Sequence, residues 1–157
     1  MHRVQDSELI TISAEDTWSL IRDLNVRPIW DETVSKVERD DNFLYYVAPL
    51  LMGFKWYWKG EYITFDPPSR SAIRMVSGSI IRPFKSLVGT WIITPSGMNT
   101  MLTMNISFEP RFPIPLLGMF MKRRVKKLLR KSLSAFSKVA AEHASKWQPQ
   151  LINKKPI

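Results

Sequence analysis

The strongest constraint on this chain is a stripe of apolar residues along one long segment near its end. At about 100° per residue, Met121, Val125, Leu128, Leu129, Ser132, Leu133, Phe136, Val139, Ala140, His143, Ala144 and Trp147 fall close to one line. Arg123, Arg124, Lys126, Lys127, Arg130, Lys131 and Lys138 fall on the opposite side. Lys122 and Lys146 sit at the edges of the stripe, where a long stem can carry its charge to water. Residues 115–147 therefore predict one continuous amphipathic helix, ended by Pro149. A helix this long with a single apolar stripe needs a broad apolar partner.

The upstream chain supplies one. Seven strand-like segments lie at 8–12, 34–39, 43–47, 55–65, 71–77, 87–94 and 100–109. Asp40-Asp41-Asn42, Asp66-Pro67-Pro68 and Pro95-Ser96-Gly97 are turn signals between them. Such short connections predict an antiparallel sheet. Ser13, with Glu15 and Asp16 in the following turn, reads as a helix N-cap. Trp18, Leu20, Ile21 and Leu24 give that helix an apolar face, and Pro28 opens a second short helix over 28–33. The expected fold is α+β: a seven-stranded antiparallel sheet, two short helices after its first strand, and the long C-terminal helix. With 157 residues, one domain over 1–147 and a tail over 148–157 is expected.

Charge narrows the function classes. The net charge is +9, yet residues 1–115 carry 12 basic and 13 acidic side chains, while residues 116–147 carry 9 and 1. Lys154 and Lys155 add to the tail. The excess is thus one basic helix on a near-neutral body, unlike a generally basic nucleic-acid binder, and no nucleic-acid partner is expected. Zero cysteines exclude a disulfide scaffold, thiol catalysis and cysteine-ligated zinc, and two histidines exclude a histidine-rich metal site. No metal and no cofactor is expected. Residues 1–8 are polar and lack a signal-peptide core, and no apolar run approaches the ~20 residues of a membrane span. A cytoplasmic protein is the expectation.

Four stretches carry a resemblance to a known superfamily. Ile12-Ser13-Ala14-Glu15-Asp16-Thr17-Trp18 resembles an I-x-A-P-x-E-x-V-W opening, without its usual proline. Arg27-Pro28-Ile29-Trp30 resembles the L-P-x-W that follows the first helix, and Asp66-Pro67-Pro68-Ser69-Arg70 resembles a D-P-P-R turn. Gly89-Thr90-Trp91 through Met98-Asn99-Thr100 resembles the last hairpin, usually W-x-L-x-P-x-x-G-G-T. In this order they are similar to the START-like, or SRPBCC, superfamily, the helix-grip fold of polyketide cyclase/dehydrase and coenzyme Q-binding proteins. The resemblance implies a curved sheet wrapped around the long helix and a deep cavity between them for an apolar or aromatic ligand.

Strand periodicity then suggests which residues line such a cavity. Over 54–65 the even face holds Phe54, Trp56, Trp58, Gly60, Tyr62 and Thr64, aromatic and uncharged, and is taken as inner. Ile73, Met75 and Ser77 form the inner face of the next strand, leaving Arg74 outside. Trp91 and Ile93, then Leu102, Met104, Ile106 and Phe108, face in, with Val125, Leu129, Phe136 and Met121 on the helix wall. The candidate ligand-binding residues are Tyr45, Trp56, Trp58, Tyr62, Met75, Ser77, Trp91, Met104, Val125 and Leu129. Tyr45, Tyr46, Tyr62, Ser77 and the tryptophan indoles are the hydrogen-bonding candidates. Six tryptophans and eight methionines suit a pocket for a flat or flexible apolar molecule.

No nucleophile, acid and base constellation stands out. His143 on the helix stripe reads as a packed core residue rather than a general base, and Asp31 and Glu32 read as solvated helix-end acids. Two functions remain open. One is a polyketide cyclase/dehydratase-type enzyme, which can work by shaping a bound chain. The other is a non-catalytic lipid or quinone carrier at a membrane. For the carrier, the basic helix and three apolar stretches, 49–54, 80–84 and 112–120, supply the charge and apolar contact that peripheral membrane binding needs.

Overall fold

The computed structural model describes the backbone of residues 1–152 and the side chains of residues 1–50 and 52–146. Lys154, Lys155 and the side chain of Trp147 lie outside the described residues. The elements run β1 (His2–Ile10), α1 (Ala14–Arg22), α2 (Arg27–Trp30), β2 (Lys36–Asp40), β3 (Phe43–Pro49), β4 (Lys55–Asp66), β5 (Arg70–Gly78), β6 (Phe84–Ser96), β7 (Asn99–Pro110) and α3 (Leu117–Ile152). Among the described residues the strands form one seven-stranded sheet in the order β1-β7-β6-β5-β4-β3-β2. Every neighbouring pair is antiparallel. This is the expected α+β helix-grip fold.

Local chemistry sets the joints. The Ser13 hydroxyl accepts the Asp16 N–H at 3.1 Å, capping α1, and Glu15 and Asp16 occupy its first turn, where the helix dipole favours acids. Pro28 lies in the first turn of α2, where a missing N–H costs nothing. Several boundaries differ from the sequence reading: α1 ends at Arg22, short of Leu24, and α2 runs Arg27–Trp30 rather than 28–33, with Asp31 already extended. β1 starts at His2 rather than residue 8, because it pairs with β7 along its whole length and only Val4 and Ile10 need to be buried. The helical backbone of α3 continues past Pro149 to Ile152. Proline removes one hydrogen bond and restricts the residue before it, but its own φ is helical.

The core is split in two. The larger cluster joins Trp18, Ile21 and Trp30 to Trp91, Leu102, Met104 and Phe108 of the sheet and to Val125, Leu129, Leu133 and Phe136 of α3. The smaller one holds Val34, Val37, Leu44, Tyr46 and Ile73, with Leu24, Trp58 and Tyr62 against it. α3 packs chiefly on β1, β7 and α2. α3 therefore does not pack closely over β3 to β6, and their concave face stands off from it.

Two glycines mark how tightly that face is drawn. A Cβ at Gly60 would meet Ile73 Cγ2 at 2.7 Å and Trp58 Cζ3 at 3.0 Å, whereas one at Gly89 would meet nothing within 4 Å. Gly60→Ala should lower unfolding stability in urea by about 1–3 kcal/mol through overpacking. Gly89→Ala should leave it unchanged or raise it by about 0.5–1 kcal/mol, since strand glycine costs entropy. Equal stability of the two variants would mean that Gly60 is not a close-packing position.

Candidate functional site: an apolar cavity with one polar end

Between the two clusters lies a cavity of about 320 Å³, within the range of small-molecule sites. The sheet contributes Tyr46, Ala48, Trp56, Trp58 and Ile73 from β3, β4 and β5, then Leu87, Gly89, Trp91, Met104 and Ile106 from β6 and β7. The α3 wall is Leu117, Met121, Arg124, Val125 and Leu128, spaced three and four apart and hence on one helix face. Pro49, Leu50, Pro83, Phe84, Phe112 and Phe120 line it from the connecting segments and element ends, and of these Pro49, Phe112 and Phe120 are exposed at the surface.

The walls are aromatic stacks. Tyr46 lies flat on Trp58, with centroids 3.9 Å apart and planes 8° apart, and Trp56 follows at 6.2 Å. Trp30, 1% exposed, sits edge-on between Trp91 at 5.4 Å and Phe136 at 4.9 Å, tying α2 to both sheet and helix. Ser132, fully buried within the apolar stripe, accepts the Glu32 N–H at 2.9 Å and holds the end of α2 against α3. The Trp30 indole N–H is buried with no acceptor among the described residues.

One end of the cavity is polar: Arg27, Asp31, Thr33 and Tyr46. Arg27 and Asp31 stand four apart across the single turn of α2, so their side chains share a face. Arg27 Nε donates to Asp31 Oδ2 at 2.5 Å, and Asp31 Oδ1 accepts from Thr33 N at 3.0 Å and Thr33 Oγ1 at 2.6 Å. The guanidinium lies over the Trp30 and Trp91 rings, 5.0 Å from each. Burial disfavours the Arg27 charge, but Asp31, with Tyr46 and Tyr62, together more than offset it and hold the guanidinium above its ordinary value. Burial pushes the Tyr46 hydroxyl up; Arg27 opposes this, while Tyr62 and Asp31 add to it. Tyr46 is therefore a neutral phenol in neutral solution.

Of the ten candidate binding residues, Trp56, Trp58, Trp91, Met104 and Val125 line the cavity. The other five do not. Tyr45 is opposite Lys59 on the outer face, and its neighbour Tyr46, opposite Trp58, points in. A bulge between Lys59 and Gly60 inserts Val76 into β5, so Ser77 pairs with Lys59 on the outer face. Tyr45 and Ser77 line a shallow depression on that side. Met75, opposite Gly60, and Tyr62, packed on the smaller cluster, are half-buried away from the cavity. Leu129 points into the seam between α3 and the sheet, and Leu128, one position back, faces the cavity. Phe54 precedes β4 and is exposed. His143 is half-buried on α3 and does not line the cavity.

Asp31 corrects the reading of a solvated acid: it is 1% exposed. Arg27 was missed altogether. Its signal was an opposite-charge pair four residues apart, flanking the apolar Pro28-Ile29-Trp30.

The sheet gripping one long helix, with a cavity between, is the architecture of the START/SRPBCC superfamily. Residues 1–141 match the family model described as polyketide cyclase/dehydrase and lipid transport, and the chain belongs to that family. A START superfamily protein from Mycobacterium smegmatis superposes with a TM-score of 0.76 at 17% identity, covering 90% of this chain and 99% of the other. The Zhui aromatase/cyclase from Streptomyces gives 0.74 at 15% identity, covering 91% and 95%. A Thermus thermophilus protein gives 0.65 at 23% identity, covering 88% and 99%. At these identities the structural likeness concerns the fold. No curated protein matches the sequence. Among the described residues no helix is long and apolar enough to cross a membrane, and no cluster of His, Cys, Asp and Glu has the makings of a metal site.

The raised Tyr46 value has a stability consequence. Its contribution is fully present below the unfolded phenol value of about 10 and is lost as pH rises above it. Urea midpoints should fall more steeply above about pH 10 in the parent than in Tyr46→Phe. Identical slopes would mean that Tyr46 ionises freely in the folded protein.

Proposed function

We propose that the protein is a non-catalytic carrier that holds an apolar small molecule in this cavity and exchanges it at an anionic membrane surface. The observation that carries the reading is the coincidence of the cavity mouth with the exposed apolar segments. Phe112 and Phe120 line the cavity and are more than half exposed. Leu50 and Pro83 line it too, on the loops that expose Met52, Phe54, Ile80 and Ile81. Arg124, at the same mouth, belongs to the basic face of α3. An apolar rim beside Lys/Arg side chains supplies the two signals for reversible binding to an anionic bilayer.

A polyketide cyclase-type enzyme is the competing reading, and the family description accommodates both. Arg27 and Tyr46 offer no proton transfer near neutrality, which leaves a cyclase only the shaping of a bound chain, and the exposed apolar mouth is what favours the carrier. Burial raises Tyr46, and Asp31 holds Arg27 protonated, so both are far from exchanging a proton near neutrality.

Flotation with phosphatidylglycerol-containing vesicles tests the surface. The protein should float at low salt and stay behind with phosphatidylcholine alone. Replacing Arg123, Lys126 and Lys127 by Gln should weaken partitioning about a hundredfold, at about 1 kcal/mol per basic residue. Absence of binding to anionic vesicles at low salt would sink the membrane half of the reading.

Gly89→Leu tests the cavity. The new side chain enters open cavity space, so the far-UV circular dichroism should be unchanged while Nile red binding falls at least about tenfold. Undiminished binding would place the ligand elsewhere.

A further inference from the structure

We infer that the polar end of the cavity is a subsite for a neutral carbonyl oxygen, so that the ligand is an apolar molecule bearing a ketone, quinone or ester group rather than a carboxylate. This rests on the cavity reading above and deepens it.

The donor is built and left unfilled. Asp31 takes the Arg27 Nε–H, and the two Thr33 donors take the other Asp31 oxygen. Neither terminal nitrogen of Arg27 meets a protein acceptor among the described residues. Arg27 nevertheless lines the cavity, with its side chain 10% exposed while that of Asp31 is 0% exposed. The guanidinium cannot swing away, because Asp31 holds one edge and the rings of Trp30 and Trp91 bracket it at 5.0 Å. Tyr46, also on the cavity wall, has a hydroxyl that makes no hydrogen bond to the described residues. A fixed N–H fork and a phenol O–H at the end of an apolar slot are donors in search of an acceptor.

Charge decides which acceptor. At this end Arg27 and Asp31 sum to zero and the phenol beside them is neutral; Arg124, the other charged residue of the lining, is exposed at the mouth on α3. A carbonyl oxygen would complete the donors without adding charge. A carboxylate would add an uncompensated negative charge in a buried, mostly apolar space, next to Asp31. The pairing of Arg27 with Asp31 thus turns what would be an anion site into one for neutral oxygen.

Three naphthalenes of matched shape separate the possibilities: 2-acetylnaphthalene, 2-ethylnaphthalene and 2-naphthoate, each titrated calorimetrically at neutral pH. The ketone should bind at least about tenfold tighter than the hydrocarbon, the value of a charge-assisted hydrogen bond. The naphthoate should bind no tighter than the hydrocarbon. The ketone's advantage should vanish in Arg27→Met/Asp31→Leu, which removes both charges together, and shrink in Tyr46→Phe, which keeps the stack on Trp58. Equal binding of ketone and hydrocarbon overturns the subsite, as does tightest binding by the naphthoate or a ketone preference that survives both variants. If none of the three binds, the cavity reading itself fails and takes the subsite with it.

Discussion

One helix cannot cover a seven-stranded sheet. Seven strands spaced about 4.8 Å apart span about 29 Å, while a helix with its side chains is about 10–12 Å across. α3 resolves the mismatch by lying at one side, over β1 and β7, with α2 packed beside it. Trp30 fills the angle between them, touching Trp91 on the sheet and Phe136 on the helix. What remains of the concave face becomes cavity wall, and the core divides around it. Side chains lining the cavity make fewer contacts within the protein, so the stability of the domain rests on the seam of Leu129, Leu133 and Phe136 and on the smaller cluster.

Periodicity made most of this legible. Alternation along β4 placed Trp56 and Trp58 inward, and the same rule placed Trp91 and Met104. The 3.6-residue stripe placed the burial of Met121, Val125, Leu129 and Phe136. It failed where periodicity is locally broken or incomplete as information. The bulge opposite Lys59 inserts one residue, and the inward assignment beyond it on β5, Ser77, reverses. Tyr45 and Tyr46 are adjacent tyrosines, and only the register with β4 distinguishes them. Leu128 and Leu129 share the stripe, but which one faces a cavity depends on how far to one side the helix lies.

The polar end was hidden for a different reason. Charged residues at the ends of short helices are usually solvated, and α2 is a single turn. Three features reverse the expectation at once: Trp30 anchors the turn inside, Ser132 accepts the Glu32 N–H, and Arg27 has Asp31 within reach. A sequence reading sees the i,i+4 pair but not the burial that gives it consequence.

Placement of charge follows one logic inside and out. At the polar end of the cavity a cation and an anion cancel, which lets a buried guanidinium persist beside tryptophan faces. On the surface, the basic residues of α3 stand largely uncompensated; Arg130 reaches Asp6, while residues 116–147 hold only one acid. The rim sets its apolar side chains in water at some cost. Met52 and Leu116 adopt left-handed φ values of 59° and 68°, each worth about 1–2 kcal/mol of strain in a non-glycine residue. Exposed apolar loops of this kind invite self-association. A concentrated positive charge beside them opposes it, because two copies meeting rim to rim would bring their basic faces together. An anionic surface would reverse that sign and leave the apolar contact intact. On the proposed carrier reading, the same charge would disfavour a second copy and favour a negative layer, with no change in the fold.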